Sequence, residues 1–303
     1  MKLAITGPLG HIGSRFIHSL RPGDFEEVLL VDDMSAQRYC SLFELPKGVK
    51  FRLVEADVTN PAVDLTGLLA GFDVVIHLAA ITNAAASFEV QKDVERVNFT
   101  GTERVAEACL ATGARLLFPS TTSVYGTQAE VVDESCTIDE LKPQSPYAES
   151  KLRAEGLLQQ LARDKGLRTV ICRFGTIFGI SKGMRFHTAV NKFIWQACHG
   201  QPLTVWRTAL HQKRPYLDVE DCVRSIRFIV DHDLFDGEIY NVLTINATVD
   251  EIVSTIRRHV PDLGINFVDS KIMNQLSYTV GDAKFRAKGF APAGDLARGV
   301  HDT

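Results

Sequence analysis

The chain has 303 residues, 45% of them hydrophobic, enough to bury one large core or a main domain with a smaller attached lobe. Its formal net charge of −4 at pH 7 offers no broad basic surface, which argues against nucleic acid as a partner. No apolar run approaches the roughly 20 residues that cross a bilayer, "MKLAITG" enters a strand directly, and Cys40, Cys109, Cys136, Cys172, Cys198 and Cys222 stand far apart, so the expectation is a cytoplasmic protein with reduced thiols, no membrane contact and no metal site.

The runs "KLAIT", "EVLLVD", "VKFRLVEAD", "FDVVIHLAA", "ARLLFPS" and "RTVICRF" are continuous and apolar, the pattern of strands covered on both faces. Amphipathic stretches at 61–70, 94–112 and 147–165 separate them as helices. This alternation predicts right-handed βαβ units and an α/β fold with a doubly wound parallel sheet. After Gly179 the rhythm breaks. Residues 180–215 mix a loop, the helical "TAVNKFIWQACHG" and "PLTVW", and then "YLDVEDCVRSIRFIVDH" and "EIYNVL" resume the pattern. The tail from about 245 reads as short helices and one strand. One domain is therefore expected from 1–179 and 216–244, and a smaller discontinuous lobe from 180–215 and 245–303.

"TGPLGHIG" follows the first strand and sets Gly7, Gly10 and Gly13 in a G-x-x-G-x-x-G array, with His11 and Ile12 inside it. Glycines there permit a tight turn, let backbone N–H groups approach a pyrophosphate, and allow the next helix to pack close. Alone, the triplet also suits an ordinary strand-to-helix turn. Nineteen residues after Gly13, however, Asp32 ends the second strand in "LLVDDM". A carboxylate there accepts hydrogen bonds from both adenosine ribose hydroxyls and repels a 2′-phosphate. Asp32-Asp33 also suits the cap of a helix starting near Ser35. The combination points to a Rossmann-like domain that binds NAD in preference to NADP. Asp57 and Val58, at the end of the third strand, are placed to meet the adenine, or Asp57 simply closes a turn.

"SPYAESK" places Tyr147 and Lys151 four apart on one helix face, and Pro146 suits the helix N-terminus. A phenol of pKa near 10 is a poor base at neutral pH. A neighbouring ammonium and a cationic nicotinamide ring both favour phenolate, and a shift of about three units is worth about 4 kcal/mol. Lys151 can also hold the nicotinamide ribose. In isolation the two would form a surface pair; after a dinucleotide fold they read as catalytic.

With these pieces in place the chain resembles the extended short-chain dehydrogenase/reductases, the nucleotide-sugar epimerase and dehydratase group. The matching segments are "TGPLGHIG", "VDDMS", "EADVTN", "HLAA", "VNFTGT", "STTSVYG", "YAESK", "RFGTIFG" and "RPYLDVEDCV", nearly the whole chain in order. The resemblance implies NAD as cofactor, a nucleotide-diphosphate sugar as substrate in the smaller lobe, and a homodimer through the helices at 94–112 and 147–165. It implies that Thr121 hydrogen-bonds the substrate oxygen beside Tyr147, and that Asn98 supports the helix of Tyr147 and Lys151. By the same resemblance Leu78, Ala79 and Ala80 are expected to line the cofactor, Asp33, Met34 and Ser35 to flank its adenosine with Asp32, and Thr82 to join the substrate contacts.

Thr122 and Ser123 occupy positions where the group's dehydratases carry an Asp-Glu or Ser-Glu pair and its decarboxylases a Glu. Eliminating water from the sugar needs carboxylate acid and base groups. Oxidation and re-reduction at one carbon need only Tyr147, Thr121 and NAD. Other departures concern the substrate end. Thr176 stands where related epimerases carry an Asn against the diphosphate, and their R-P-G-D segment is replaced by "IMNQLSYTVGD". Arg214 does match a phosphate-contacting Arg, and Trp206 falls where the group places an aromatic against the base, or else packs within the lobe. Arg185, His187, Asn191 and Lys192 in "GMRFHTAVNKF" are further polar groups for the substrate, or solvated surface side chains. The expected activity is NAD-dependent epimerisation at C4 through a 4-keto sugar. The alternatives are a 4-ketoreductase or dehydrogenase with net redox change, a dehydratase, and a dinucleotide-binding protein without turnover.

Overall fold

The computed structural model describes residues 1–126, 130–269 and 277–303. Its strands begin with β1 (Lys2–Thr6), β2 (Glu27–Asp32), β3 (Phe51–Glu55), β4 (Val74–His77) and β5 (Arg115–Thr121). A short β6 (Val131–Val132) leads to β7 (Thr169–Phe174), β8 (Thr176–Phe178), β9 (Leu203–Trp206), β10 (Lys213–Asp218) and β11 (Ile239–Val242). The last are β12 (Ile245–Thr248), β13 (Ile265–Val268) and β14 (Thr279–Val280).

Seven of them form one sheet in the order β11-β7-β5-β4-β1-β2-β3, with every neighbouring pair parallel. This is the α/β doubly wound arrangement expected from the apolar runs, and both faces of the sheet are covered. Leu3, Ile5, Leu30, Ile76 and Leu117 bury one face, while Ala4, Leu29, Val75, Leu116 and Phe118 bury the other. The strand order reverses between β1 and β4, and in such sheets a ligand crevice opens beyond the strand ends at that point.

The helices are α1 (His11–Ser19), α2 (Leu65–Leu69), α3 (Gln91–Val94), α4 (Gly101–Thr112), α5 (Pro146–Lys165), α6 (Ala189–Cys198), α7 (Val219–Asp231), α8 (Val249–Arg257), α9 (Ala283–Ala287) and α10 (Leu296–Asp302). Helix α5 starts where its sequence directs: the Ser145 side chain accepts the Ala148 N–H, Pro146 fills the first turn, and Gly166 ends the helix in a left-handed conformation. The helix expected over 94–112 is interrupted by a π-helical turn, Glu95–Thr100, which carries Asn98 inward. The helix expected near Ser35 is absent. Asp33 instead spends one carboxylate oxygen on the Ser35 N–H (3.0 Å) and hydroxyl (2.7 Å), and only a 3-10 turn follows at Tyr39–Leu42.

The tail differs most from its expectation, with three short strands where one was expected. Each pairs with a partner far away in the chain: β12 antiparallel to β10, β13 parallel to β9, and β14 parallel to β6. Phe178, Phe193, Tyr216, Ile252 and Leu296 share a second core. Phe285 and Phe290, from the stretch expected in the lobe, pack into the core of the main sheet. No helix among the described residues is long and apolar enough to cross a membrane.

Candidate active site

The carboxyl ends of the parallel strands gather most of the residues singled out above. Gly7 follows β1 with φ +67, and a side-chain carbon there would stand 2.5 Å from the Ala79 nitrogen, so only glycine leaves this cradle open. Gly10, His11, Ile12 and Gly13 lead into the N-terminus of α1 and line the crevice with Leu78 and Ala80. The adenosine half is lined by Asp32, Asp33, Ser35, Asp57, Val58 and Ala79. The residues present therefore fit a dinucleotide, with its pyrophosphate over the cradle.

Asp32 accepts the Met34 N–H at 3.0 Å and the Leu9 N–H at 3.3 Å, and burial pushes its carboxyl above the ordinary value. Met34 is buried beneath it, with φ 56, and does not reach the crevice wall. Asp57 spends one oxygen on the Thr59 N–H and hydroxyl (2.8 and 2.7 Å) and the other on Arg96 at 3.0 Å, so it closes its own turn as well as lining the adenosine half. NAD is expected to bind more than about tenfold tighter than NADP, since bringing like charges together costs several kcal/mol. Asp32→Ala should narrow that gap, because the carboxylate that repels a 2′-phosphate is then gone. Calorimetric titration of both cofactors checks this, and equal affinities for the parent protein would contradict it.

At the other end Thr121, Tyr147 and Lys151 come together. The Thr121 Oγ1 accepts the Ser123 N–H at 3.1 Å, so its own proton is available to donate. Tyr147 is half-buried beside it. Burial holds the phenol above its usual pKa, opposed by the Thr121 hydrogen bond and by the charge of Arg185. The Lys151 ammonium donates to the Pro119 carbonyl at 2.8 Å and lies 4.4 Å from the centre of the Phe118 ring. Burial pushes Lys151 down to about 7, with Glu155 acting in the opposite sense. Asn98 is fully buried; its amide bridges the Ile81 N–H and carbonyl (2.8 and 3.0 Å) and donates to Ser150 on α5 at 3.1 Å. It braces the helix of the Tyr-Lys pair and does not itself line the crevice.

Beyond this trio the crevice widens. Thr176, His187 and Trp206 line both the inner part and the outer hollow, Thr82 the inner part, and Ser123 both. Arg214 lines the outer hollow with Lys192 and sets its guanidinium 4.7 Å from the Tyr278 ring centre. Thr122 also borders that hollow, but its hydroxyl is spent on the Phe174 carbonyl at 3.3 Å. Asn191 is the correction. It is fully buried, accepting the Gly179 N–H at 3.1 Å and donating to the Arg185 carbonyl at 3.2 Å, so it shapes the loop and faces no substrate. Most of the stretch aligned with the missing R-P-G-D segment lies outside the described residues.

Three features were passed over in the sequence. Arg38 stands in the adenosine half, six residues after Asp32. Glu155 lies one helical turn beyond Lys151, and Arg173 ends the run "RTVICR"; the two form an ion pair at 2.7 Å with almost no solvent exposure. Ser120, directly across the sheet from Arg173, donates to the same carboxylate. This network ties β5, β7 and α5 together beneath the trio. The i, i+4 spacing of Lys151 and Glu155 was the available signal, but their burial was not.

A model of the NAD-dependent epimerase/dehydratase family matches residues 3–242 of the chain. A Bacillus subtilis (strain 168) protein described as the uncharacterized UDP-glucose epimerase YtcB is 30% identical over 251 residues, covering 80% of this chain and 76% of its own. A trifunctional UDP-glucose 4,6-dehydratase, 3,5-epimerase and reductase of Arabidopsis thaliana is 27% identical over 99% of this chain, which spans 46% of that protein's length. Among solved structures, the UDP-glucuronic acid 4-epimerase of Bacillus cereus with UDP-glucuronic acid and NAD superimposes with a TM-score of 0.89 at 26% identity, covering 100% of this chain and 97% of that one.

Proposed function

Since the chain belongs to the NAD-dependent epimerase/dehydratase family, we propose that it is a nucleotide-sugar 4-epimerase. The observation that carries this reading is the chemistry around Thr121 and Tyr147. Among the described residues, neither the inner crevice nor the outer hollow is lined by an aspartate or glutamate. Of the carboxylates after the Tyr125-Gly126 turn, Glu130 is exposed and the next two are engaged elsewhere. Glu134 accepts the Asn241 N–H at 2.5 Å on β11, and Asp133 accepts the Ser135 N–H at 2.8 Å. Dehydration needs such groups at the sugar; epimerisation does not.

Bound NAD supplies reversible oxidising power at the sugar carbon. Tyr147 takes the proton from the C4 hydroxyl and later returns it, with the Thr121 hydroxyl holding the same oxygen throughout. Lys151 keeps positive charge behind the phenol and holds the cofactor's ribose. The 4-keto sugar turns in the crevice between the two half-reactions, while its nucleotide diphosphate stays with Arg214, Lys192 and Thr176 and its base against Trp206. Lys192 and Arg214 bring positive charge to the outer hollow, which suits an anionic diphosphate. The UDP-sugars bound by the Bacillus cereus relative make a uridine nucleotide the first choice for assay. We take the helices at 94–112 and 147–165 as the seam of a homodimer, and on that side Glu95, Glu149 and Arg153 border a groove.

Incubation of a panel of UDP-, GDP-, CDP- and dTDP-sugars in D₂O, followed by NMR, tests the reading. Inversion at C4 with no solvent deuterium at C4 or C5 is expected, because the same hydride returns to the sugar. Deuterium at C5 together with a 4-keto-6-deoxy product would make the protein a dehydratase instead.

A further inference from the structure

Residues 180–187 were expected to belong with the substrate lobe, yet with Gly179 their backbone lies on the glycine loop. The Gly183 N–H donates to the Ser14 hydroxyl at 2.9 Å. A side-chain carbon on Gly183 would stand 2.2 Å from the Leu9 carbonyl oxygen and 2.7 Å from that of Gly10, so the approach requires glycine. His11 Nε2 lies 2.9 Å from the Gly179 carbonyl oxygen, and Arg38 donates to the Gly183 carbonyl at 3.3 Å. Lys182 reaches the Phe43 carbonyl at 2.6 Å and Glu44 at 2.7 Å. The segment is a strap fastened at five points, two on the first βα unit and three on the stretch after β2.

The strap brings a second guanidinium to the cradle. Arg38 Nη1 lies 4.0 Å from where a side chain on Gly10 would begin. Arg185 belongs to the wall of both halves of the crevice, as do Gly7 and Gly10, so it stands at the waist between them. Among the described residues neither arginine hydrogen-bonds a carboxylate: Arg38 gives its N–H to Gly183, and Arg185 gives its own to the Thr82 hydroxyl. The charge of Asp32 acts on both, but its two oxygens already accept the Leu9 and Met34 N–H groups. The two cations oppose each other, and burial works in the same direction on Arg185. Half-buried like charges without an acid are costly unless an anion joins them.

We propose that Arg38 and Arg185 clamp the pyrophosphate of NAD from opposite sides of the glycine loop, with the 179–187 strap holding Arg185 in place. Two phosphate charges exceed what one helix N-terminus neutralises, since it offers only about half a charge. Guanidinium groups match phosphate oxygens with paired hydrogen bonds. The clamp rests on the cofactor and not on the choice of sugar reaction. It gives that reaction one further property, because a cofactor held through the cycle cannot leave while the sugar is in its keto form.

The test is calorimetric titration of cofactor-free protein with NAD and ADP, with adenosine binding followed by NMR. Arg185→Met should weaken NAD and ADP about 10- to 100-fold and leave adenosine unchanged, and Arg38→Met should act in the same direction. NAD affinity of the parent should fall with added salt more steeply than that of either variant. Equal losses for adenosine would overturn the clamp and make the arginines merely structural. Unchanged NAD and ADP affinities, with a raised KM for the nucleotide sugar, would overturn it by assigning Arg185 to the substrate. Circular dichroism of each variant separates binding from folding. Should Arg185→Met not fold, Arg38→Met and the salt dependence of the parent decide the matter. A failed sugar screen would leave all of these readings standing.

Discussion

Tyr147→Phe is expected to keep the fold and NAD binding and to lower turnover by about 10²- to 10⁴-fold, the usual worth of positioned proton transfer. The substitution removes one oxygen from a half-buried ring, and the hydroxyl's neighbour is Thr121, which retains its contact with the Ser123 N–H. The loss should therefore fall on kcat, with little change in stability or in KM. The phenol also predicts a pH profile. Burial holds it above its usual value, while Thr121, Arg185 and the positive end of α5 favour phenolate. Before the cofactor binds, the base form thus becomes more abundant as pH rises, and kcat/KM should climb on the alkaline side of neutrality. Thr121→Val should reduce the rate less than Tyr147→Phe and move that rise to higher pH. Rate measurements from pH 6 to 10 on the three proteins check this. A Tyr147→Phe enzyme of near-normal rate would mean that another group moves the proton.

Lys151→Met should lose activity and NAD affinity while gaining stability, an opposition expected of a residue kept for function. The ammonium is buried, and its pKa falls from 10.5 in a free chain to about 7. The sign follows from proton counting. Between about pH 7 and 10.5 the unfolded chain holds a proton here that the folded one does not, so Lys151 penalises folding less as pH rises. Below about 7 the penalty is complete, and above 10.5 it vanishes. The groups around it are Glu155 on the same helix, which eases the penalty, and His77 on β4, whose own protonation Lys151 opposes. Glu155 is itself paired with Arg173. Methionine fills the space against Phe118 without charge, at the cost of leaving the Pro119 carbonyl without that partner. The net gain for the cofactor-free protein is on the order of 2–3 kcal/mol at pH 6, falling to zero at about pH 9 and turning into a small loss above it. Calorimetric melting at pH 6 and pH 9.5 reads it directly. A lower melting temperature at pH 6, or a gain that does not shrink with pH, would show that Lys151 is not penalised as its burial implies.

Much of the cofactor end was legible because its signals are local. An apolar run, a glycine triplet and an acid at the end of the next strand are each set by neighbours in the chain. Parallel pairing of β1, β2 and β4 then brings Gly7, Asp32 and Leu78 to one edge, whatever the details of the loops. Tyr147 and Lys151 were likewise legible, since helical spacing alone places them on one face. The hydroxyl row at the end of β5 could also be read from the sequence, because what mattered was the residues absent from it.

Only the tertiary structure decided the rest, and the reason is the same throughout. Asn191 and Arg185 share a short polar stretch, yet one is sealed inside the loop and the other stands at the waist of the crevice; contact with the distant glycine loop separates them. Glu155 and Arg173 are ordinary charged residues in the sequence, and they become a buried pair because β5 and β7 align Ser120 with Arg173 beneath α5. The three short strands of the tail have too few residues to announce themselves, and they exist because β10, β9 and β6 offer them free edges. Chain-local chemistry thus determined which groups this protein owns and which of them the parallel strands bring to one edge. Which charges are buried, and what they face, depended on contacts between segments far apart in the chain, where burial changes the energy of a charge more than its neighbours in sequence do.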